Sequence, residues 1–225
     1  IEQIGFEKAG ILREGQPAVF SGRELPRSVR ERAKQLDASL RVAGKDYKAV
    51  RRPESWDLQS ASMTRRALPL PGMRGARQVD NAAGVLMALH AMASRLPLDQ
   101  NAIRAGLLSA RVPGRFDVRP GQPTWILDVA HNPQAAEVLN EMLGEMFVAG
   151  RRIALFGALK DKDVEGIVRA LRNRFDAWYL VDLSAESRGL SAASLAQRVA
   201  ELLPVDTVIE AGEPEEALDR VARDA

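Results

Sequence analysis

From Trp125 onward, short β-prone runs alternate with stretches of helical periodicity, and this rhythm restricts the fold more than any single residue does. The strand-like runs are Trp125-Ile126-Leu127, Ile153-Ala154-Leu155-Phe156, Trp178-Tyr179-Leu180-Val181 and Thr207-Val208-Ile209. A first helical stripe follows Gln134, through Ala135, Leu139, Met142, Leu143 and Met146. A second runs through Val164, Ile167, Val168, Leu171 and Phe175. Ser191 caps a third, with Leu195, Val199 and Leu202, and a last helix starts at Glu215. Strands alternating with helices predict an α/β fold, a mainly parallel twisted sheet with helices on both faces. Ligands of such folds sit where a strand ends and the next helix begins. That directs attention to Asp128-Val129-Ala130-His131-Asn132-Pro133, between the Trp125 strand and its helix, with Asn132 as a helix cap.

Upstream of this rhythm the pattern is less regular. Gly15-Gln16 reads as a turn entering a strand at Pro17-Ala18-Val19-Phe20. One amphipathic helix is expected over 26–40, with Val29, Ala33, Leu36 and Leu40 on its stripe and Arg27, Arg30, Arg32 and Lys34 on a solvated face. Strand and turn follow from Val42 to Trp56, with Lys45-Asp46 as the turn. Pro69, Pro71 and Gly72 argue against regular structure between Met63 and Met73. Asp80 is expected to cap a helix whose stripe is Ala82, Val85, Leu86, Leu89, Ala93 and Leu96, with His90 in a structural role at its flank. Asp99 begins another helix through Ile103 and Leu107, which Val112-Pro113-Gly114 ends.

Composition excludes several classes. The 225 residues carry a formal charge of +2, too near neutrality to imply a nucleic-acid surface. With no cysteine, disulfides and thiolate metal sites are ruled out. No run reaches membrane-spanning length and the first residues are not signal-like, so a cytoplasmic location and no membrane partner are expected. The chain opens without a methionine, inside what reads as an ongoing element, and is expected to be a fragment.

Pro113-Gly114-Arg115-Phe116 followed by Asp128-Val129-Ala130-His131-Asn132-Pro133 resembles the C-terminal ligase domain of the folylpolyglutamate synthase / dihydrofolate synthase family, which belongs to the Mur-ligase-like amide synthetases. Glu7-Lys8-Ala9-Gly10-Ile11, Gln78-Val79-Asp80-Asn81-Ala82-Ala83 and Lys160-Asp161-Lys162-Asp163 resemble further segments of that family. The resemblance implies a fold in two parts: residues 1–114 as the C-terminal part of a P-loop ATPase-like central domain, and 115–225 as a Rossmann-like Mur ligase C-terminal domain, truncated at its end. The Gly-x-x-x-x-Gly-Lys-Ser/Thr loop occurs nowhere in this sequence, so it is expected upstream with the direct magnesium ligands.

Roles for individual residues follow from the same resemblance. Lys8 matches a lysine that becomes carbamylated; its carbamate would organise Mg2+ indirectly, a reaction favoured when desolvation strips the lysine of its proton. Asn81 would contact the adenine of ATP, where an amide complements the donor–acceptor edge of the base. Arg115 would reach the phosphates as a rigid fork of donors from the interdomain linker. Asp128 would lie on the nucleotide side, at the ribose hydroxyls, and His131 on the glutamate side. The implied cofactors are ATP and Mg2+, and the implied substrates are L-glutamate, dihydropteroate and reduced folates. The implied reaction is ligation through an acyl phosphate by a monomer, with this fragment alone inactive. Two rivals stand beside it: a Mur-like ligase acting on a cell-wall precursor, and a non-catalytic nucleotide-binding α/β domain.

Overall fold

A computed structural model describes residues 2–22, 24–75 and 77–225, and the chain divides into two compact units, Ile1–Arg111 and Val112–Ala225.

The first unit opens with helix α1 (Glu2–Ala9), strand β1 (Pro17–Phe20), helix α2 (Arg27–Gln35) and strand β2 (Ser39–Val42). The β1 and β2 strands pair in parallel, Pro17 opposite Ser39, so α2 is the crossover of a βαβ turn. Glu2 anchors the start of α2: its carboxylate accepts from the backbone N–H groups of Arg27 (3.0 Å) and Ser28 (2.8 Å). The α2 helix stops earlier than its apolar stripe suggests. Leu36 closes it, Asp37 adopts a left-handed φ of 46°, and Leu40 belongs to β2.

Strands β3 (Tyr47–Arg51), β4 (Ser55–Ser60) and β5 (Thr64–Pro69) form an antiparallel sheet in the order 3-4-5. The β5 strand corrects the expectation of irregular backbone after Met63, because Pro69 sits at the strand's end, where a missing N–H is tolerated. The register of β4 and β5 shifts between Trp56 and Leu58. At that bulge Asp57, only 3% exposed, accepts from Ala67 N–H at 2.9 Å and pairs with Arg52 at 2.8 Å. The Arg52 guanidinium, helped by the Ala67 N–H, holds the Asp57 carboxyl below its usual range.

Helix α3 (Gln78–Ala91) buries Val79, Ala82, Ala83, Leu86 and Met87 against Tyr47, Trp56, Leu58 and Leu68, with Ile103 of α4 (Gln100–Ser109) completing the core. Here too the boundaries differ from expectation. Arg77 occupies the cap position, and Asp80 lies in the first turn, paired with Arg51 at 3.0 Å. The helix ends before Ala93 and Leu96, and Val85 points to solvent. The α4 cap does match, with Asp99 accepting from Ala102 N–H at 2.7 Å.

In the second unit, β6 (Asp117–Arg119) and β7 (Trp125–Leu127) form an antiparallel ribbon. Helix α5 (Pro133–Gly144) follows, with Asn132 accepting from Ala135 N–H at 2.8 Å as its cap. Then come β8 (Ile153–Phe156), α6 (Val164–Leu171), β9 (Ala177–Val181), α7 (Ala192–Val199), β10 (Val208–Gly212) and α8 (Pro214–Asp224). The three strands β8, β9 and β10 pair in parallel around a fully buried β9. Alternate residues of β9 face opposite cores. Trp178 and Leu180 join Val164, Ile167, Val168, Leu195 and Val199 of α6 and α7, whereas Ala177, Tyr179 and Val181 join Ala217 and Val221 of α8. Helices cover both faces, as the alternation predicts. Among the described residues β7 is hydrogen-bonded to β6 rather than to this parallel sheet.

Candidate functional site

The two segments singled out between Pro113 and Pro133 are tied together by short bonds. Register places Asp117 opposite Leu127, so the turn before β6 faces the loop after β7. Asp128 closes them: one carboxylate oxygen accepts from Phe116 N–H and the other from Ala130 N–H, both at 2.8 Å. Val129 N–H donates to the Gly114 carbonyl at 2.9 Å, and Arg115 N–H to that of Val112 at 3.2 Å. The turn needs these ties. Gly114 and Phe116 have φ of 71° and 48°, and for phenylalanine this conformation costs on the order of 1 kcal/mol or more. The Phe116 ring is 5% exposed and packs in the core with Ala136 and Trp178, which fixes the turn from beneath.

Arg115 stands exposed on this turn, and its guanidinium has no hydrogen-bond or ion-pair partner among the described residues. Its five donors are available to an anion. His131 is also exposed, with Nδ1 3.0 Å from the Val129 carbonyl oxygen. A carbonyl only accepts, so this bond calls for a proton on Nδ1 and leaves Nε2 outside it. Thus Arg115, Asp128 and His131 are brought together by one hydrogen-bonded unit.

A second polar cluster lies over the carboxyl ends of β8 and β9. Asp163 caps α6 through Gly166 N–H at 2.9 Å. Asp161 bonds Lys162 at 3.0 Å and Arg188 at 2.7 Å, and these two cations pull its carboxyl down to about 2. Lys160 Nζ donates to the Ser187 carbonyl at 3.3 Å. After β9, Asp182 accepts from the N–H groups of Ser184 (2.8 Å) and Ala192 (3.1 Å), as well as from the Ser184 hydroxyl. Capping and ion pairing therefore account for both aspartates of the Lys-Asp-Lys-Asp run. Arg188 carries no local signal in the sequence, since its partner Asp161 lies far upstream.

Two further residues expected at the site from the sequence belong to the first unit. Asn81 lies exposed in the first turn of α3, its Nδ2 donating to Gln78 Oε1 at 3.3 Å. Lys8 lies exposed in the last turn of α1. Among the described residues no three acidic, histidine or cysteine side chains are grouped so as to hold a metal ion.

Residues 114–225 match the family described as "Mur ligase, glutamate ligase domain". The second unit is thus a domain of the Mur ligase class. The chain is 37% identical over 210 residues to the dihydrofolate synthase/folylpolyglutamate synthase of Escherichia coli K12, covering 93% of this chain and 48% of that protein. It is 29% identical to the Mycobacterium tuberculosis enzyme of the same description, covering 97% of this chain and 48% of the other. A solved structure of E. coli FolC in complex with ADP superposes with a TM-score of 0.86 at 35% identity, over 100% of this chain and 51% of that one. A bifunctional folylpolyglutamate synthase/dihydrofolate synthase with Mn, AMPPNP and L-glutamate bound gives 0.83 at 37% identity, again over 100% and 51%. The chain belongs to the folylpolyglutamate synthase / dihydrofolate synthase family, and it spans about half the length of the relatives it matches. No helix among the described residues is long and apolar enough to cross a membrane.

Proposed function

We propose that the protein to which this chain belongs is an ATP-dependent ligase that joins L-glutamate to dihydropteroate, to reduced folates, or to both. The observation that carries this reading is the hydrogen-bonded unit presenting Arg115 and His131, in a chain 37% identical to a dihydrofolate synthase/folylpolyglutamate synthase. In the reaction, ATP passes its terminal phosphoryl group to the acceptor carboxylate and ADP leaves. The glutamate amine then attacks the acyl phosphate, losing a proton as the amide forms and phosphate departs. Most of the protein's contribution to such chemistry is positioning and charge neutralisation.

Arg115, exposed and unpaired among the described residues, supports a role on the phosphate oxygens. Asn81 offers an amide for adenine, and Asp128 stands on the nucleotide side between Arg115 and His131. The Nε2 of His131, outside the bond to Val129, suits the incoming amine as an acceptor when the ring is neutral, or in taking its proton. Lys160, Lys162 and Arg188 suit a carboxylate ligand near the carboxyl ends of β8 and β9. Magnesium would neutralise phosphate charge; Lys8 as a carbamate would contribute to it indirectly, with the direct ligands supplied from outside this chain. Residues 1–114 would be the tail of the ATP-binding domain. We place the enzyme in the cytoplasm as a monomer acting on small molecules.

The test is ADP release by the full-length protein given ATP, Mg2+ and L-glutamate, with dihydropteroate in one reaction and a reduced folate in another. Turnover with a folate-type acceptor is expected, with Arg115→Ala lowering kcat/KM by about 100-fold or more. The isolated 225-residue chain is expected to be inert. Absence of turnover with either acceptor would remove the folate ligase reading.

A further inference from the structure

We propose that Asp128 is a positioning residue whose effect on ligation passes through Arg115 and His131, over and above any contact with the ribose. Its two carboxylate oxygens accept from Phe116 N–H and Ala130 N–H at 2.8 Å each. Phe116 directly follows Arg115, and Ala130 directly precedes His131. One side chain thereby ties together the backbone next to Arg115 and the backbone next to His131, which lie on different segments. Local preference does not do this. Arg115 is flanked by left-handed residues, Gly114 and Phe116, and a non-glycine residue leaves that region unless surrounding bonds hold it. The Val129 N–H bond to the Gly114 carbonyl also joins the two segments and the buried Phe116 ring holds the turn from beneath, while Asp128 is the side chain that ties Phe116 to the residue before His131. A carboxylate offers roughly four lone-pair sites, so two remain for a hydroxyl. Asparagine in its place accepts one N–H and turns an amide N–H toward the other.

The kinetic part of the test rests on the ligase reading above and uses the full-length protein. ADP formation is measured with ATP, 2′-deoxyATP and 3′-deoxyATP for wild type, Asp128→Asn, Arg115→Ala and the double variant. Asp128→Asn is expected to lower kcat/KM by about 100-fold, the scale of a misplaced catalytic geometry, and equally with all three nucleotides. Deleting a ribose hydroxyl is expected to cost the wild type less than about tenfold, the range of one ordinary hydrogen bond. In the Arg115→Ala background Asp128→Asn should cost clearly less than in wild type, because the part of its effect that passes through Arg115 is already gone and only the His131 part remains. The proposal is overturned if the two losses add, or if a deoxynucleotide reproduces the whole Asp128→Asn loss in wild type.

An NMR measurement separates this proposal from the ligase reading. The Phe116 and Ala130 amide protons, both bonded to the Asp128 carboxylate in wild type, should change chemical shift together in Asp128→Asn, while the Arg115 Nε–H becomes more mobile. If no acceptor supports turnover, the ligase reading falls and these resonances decide the positioning alone; amides and an Nε–H that ignore the substitution would sink it. Asp128→Glu, which keeps the charge but not the spacing, carries the same expectations where asparagine disrupts folding.

Discussion

Glu165 on α6 and Arg198 on α7 form a forked pair, with Arg198 Nε donating to one carboxylate oxygen at 2.6 Å and Nη2 bonding the other. That guanidinium draws the Glu165 carboxyl from an ordinary 4.5 to about 2. The sign follows from proton linkage. Between these values the unfolded chain binds a proton that the folded chain does not, so stability from this group is complete above about 4.5 and fades as pH falls toward about 2. Urea unfolding midpoints between pH 5.5 and 2.5 should therefore fall less steeply in Glu165→Gln than in wild type; parallel curves would deny the pair any part in acid sensitivity. Gly189 is a steric case. A Cβ there would lie 1.7 Å from the Leu183 carbonyl oxygen, a backbone atom with nowhere to move cheaply. Gly189→Ala is expected to destabilise by about 1–3 kcal/mol, read from its urea midpoint, and to loosen the loop that carries Arg188. A midpoint unchanged from wild type would show that the loop yields.

Elements obey local rules where the relevant groups are neighbours in sequence, and such elements were legible. Asp99, Asn132 and Ser191 cap the helices that their positions suggest, because a cap needs only an oxygen and an N–H three residues on. The strands at Trp125, Ile153 and Trp178 follow from apolar runs bounded by turns. Where long-range partners decide, local rules mislead. Asp80 looks like a cap but answers Arg51 on a distant strand, and Leu40 fits the α2 stripe but pairs with Ala18 in a sheet. The Pro69 strand exists because β4 supplies its partner, which no local signal announces. In the site, the residue types of Arg115, Asp128 and His131 were legible, but the bond from Asp128 to Phe116 N–H was not, since it depends on the β6–β7 register. Capping energies can be tested directly. Asp163→Ala and Ser191→Ala should each cost about 1 kcal/mol in chemical unfolding, and a larger loss for Asp163→Ala would mean that the whole charged loop leaves with the cap.

At the scale of the molecule, each unit carries its own interior. Trp56, Leu58, Leu68 and Met87 pack in the first, whereas Trp178, Leu180, Leu195 and Val199 pack in the second. Their three-stranded sheets differ in kind as well: antiparallel β3-β4-β5 in one, parallel β8-β9-β10 in the other. An antiparallel meander draws on near neighbours in sequence, whereas the parallel sheet must close α6 and α7 crossovers before its strands meet. Separate cores with separate demands should lose structure separately when either is damaged. Leu58 and Leu180 are each fully buried, so truncation to alanine should cost about 2–5 kcal/mol locally. Hydrogen exchange followed by mass spectrometry resolves where that loss falls. Leu180→Ala should expose the amides of β8, β9 and β10 to faster exchange and leave those of β3, β4 and β5 near wild-type rates, and Leu58→Ala should do the reverse. Acceleration of both sets by either substitution would mean that the two interiors unfold as one cooperative body, and the division at Arg111 would then be geometric rather than energetic.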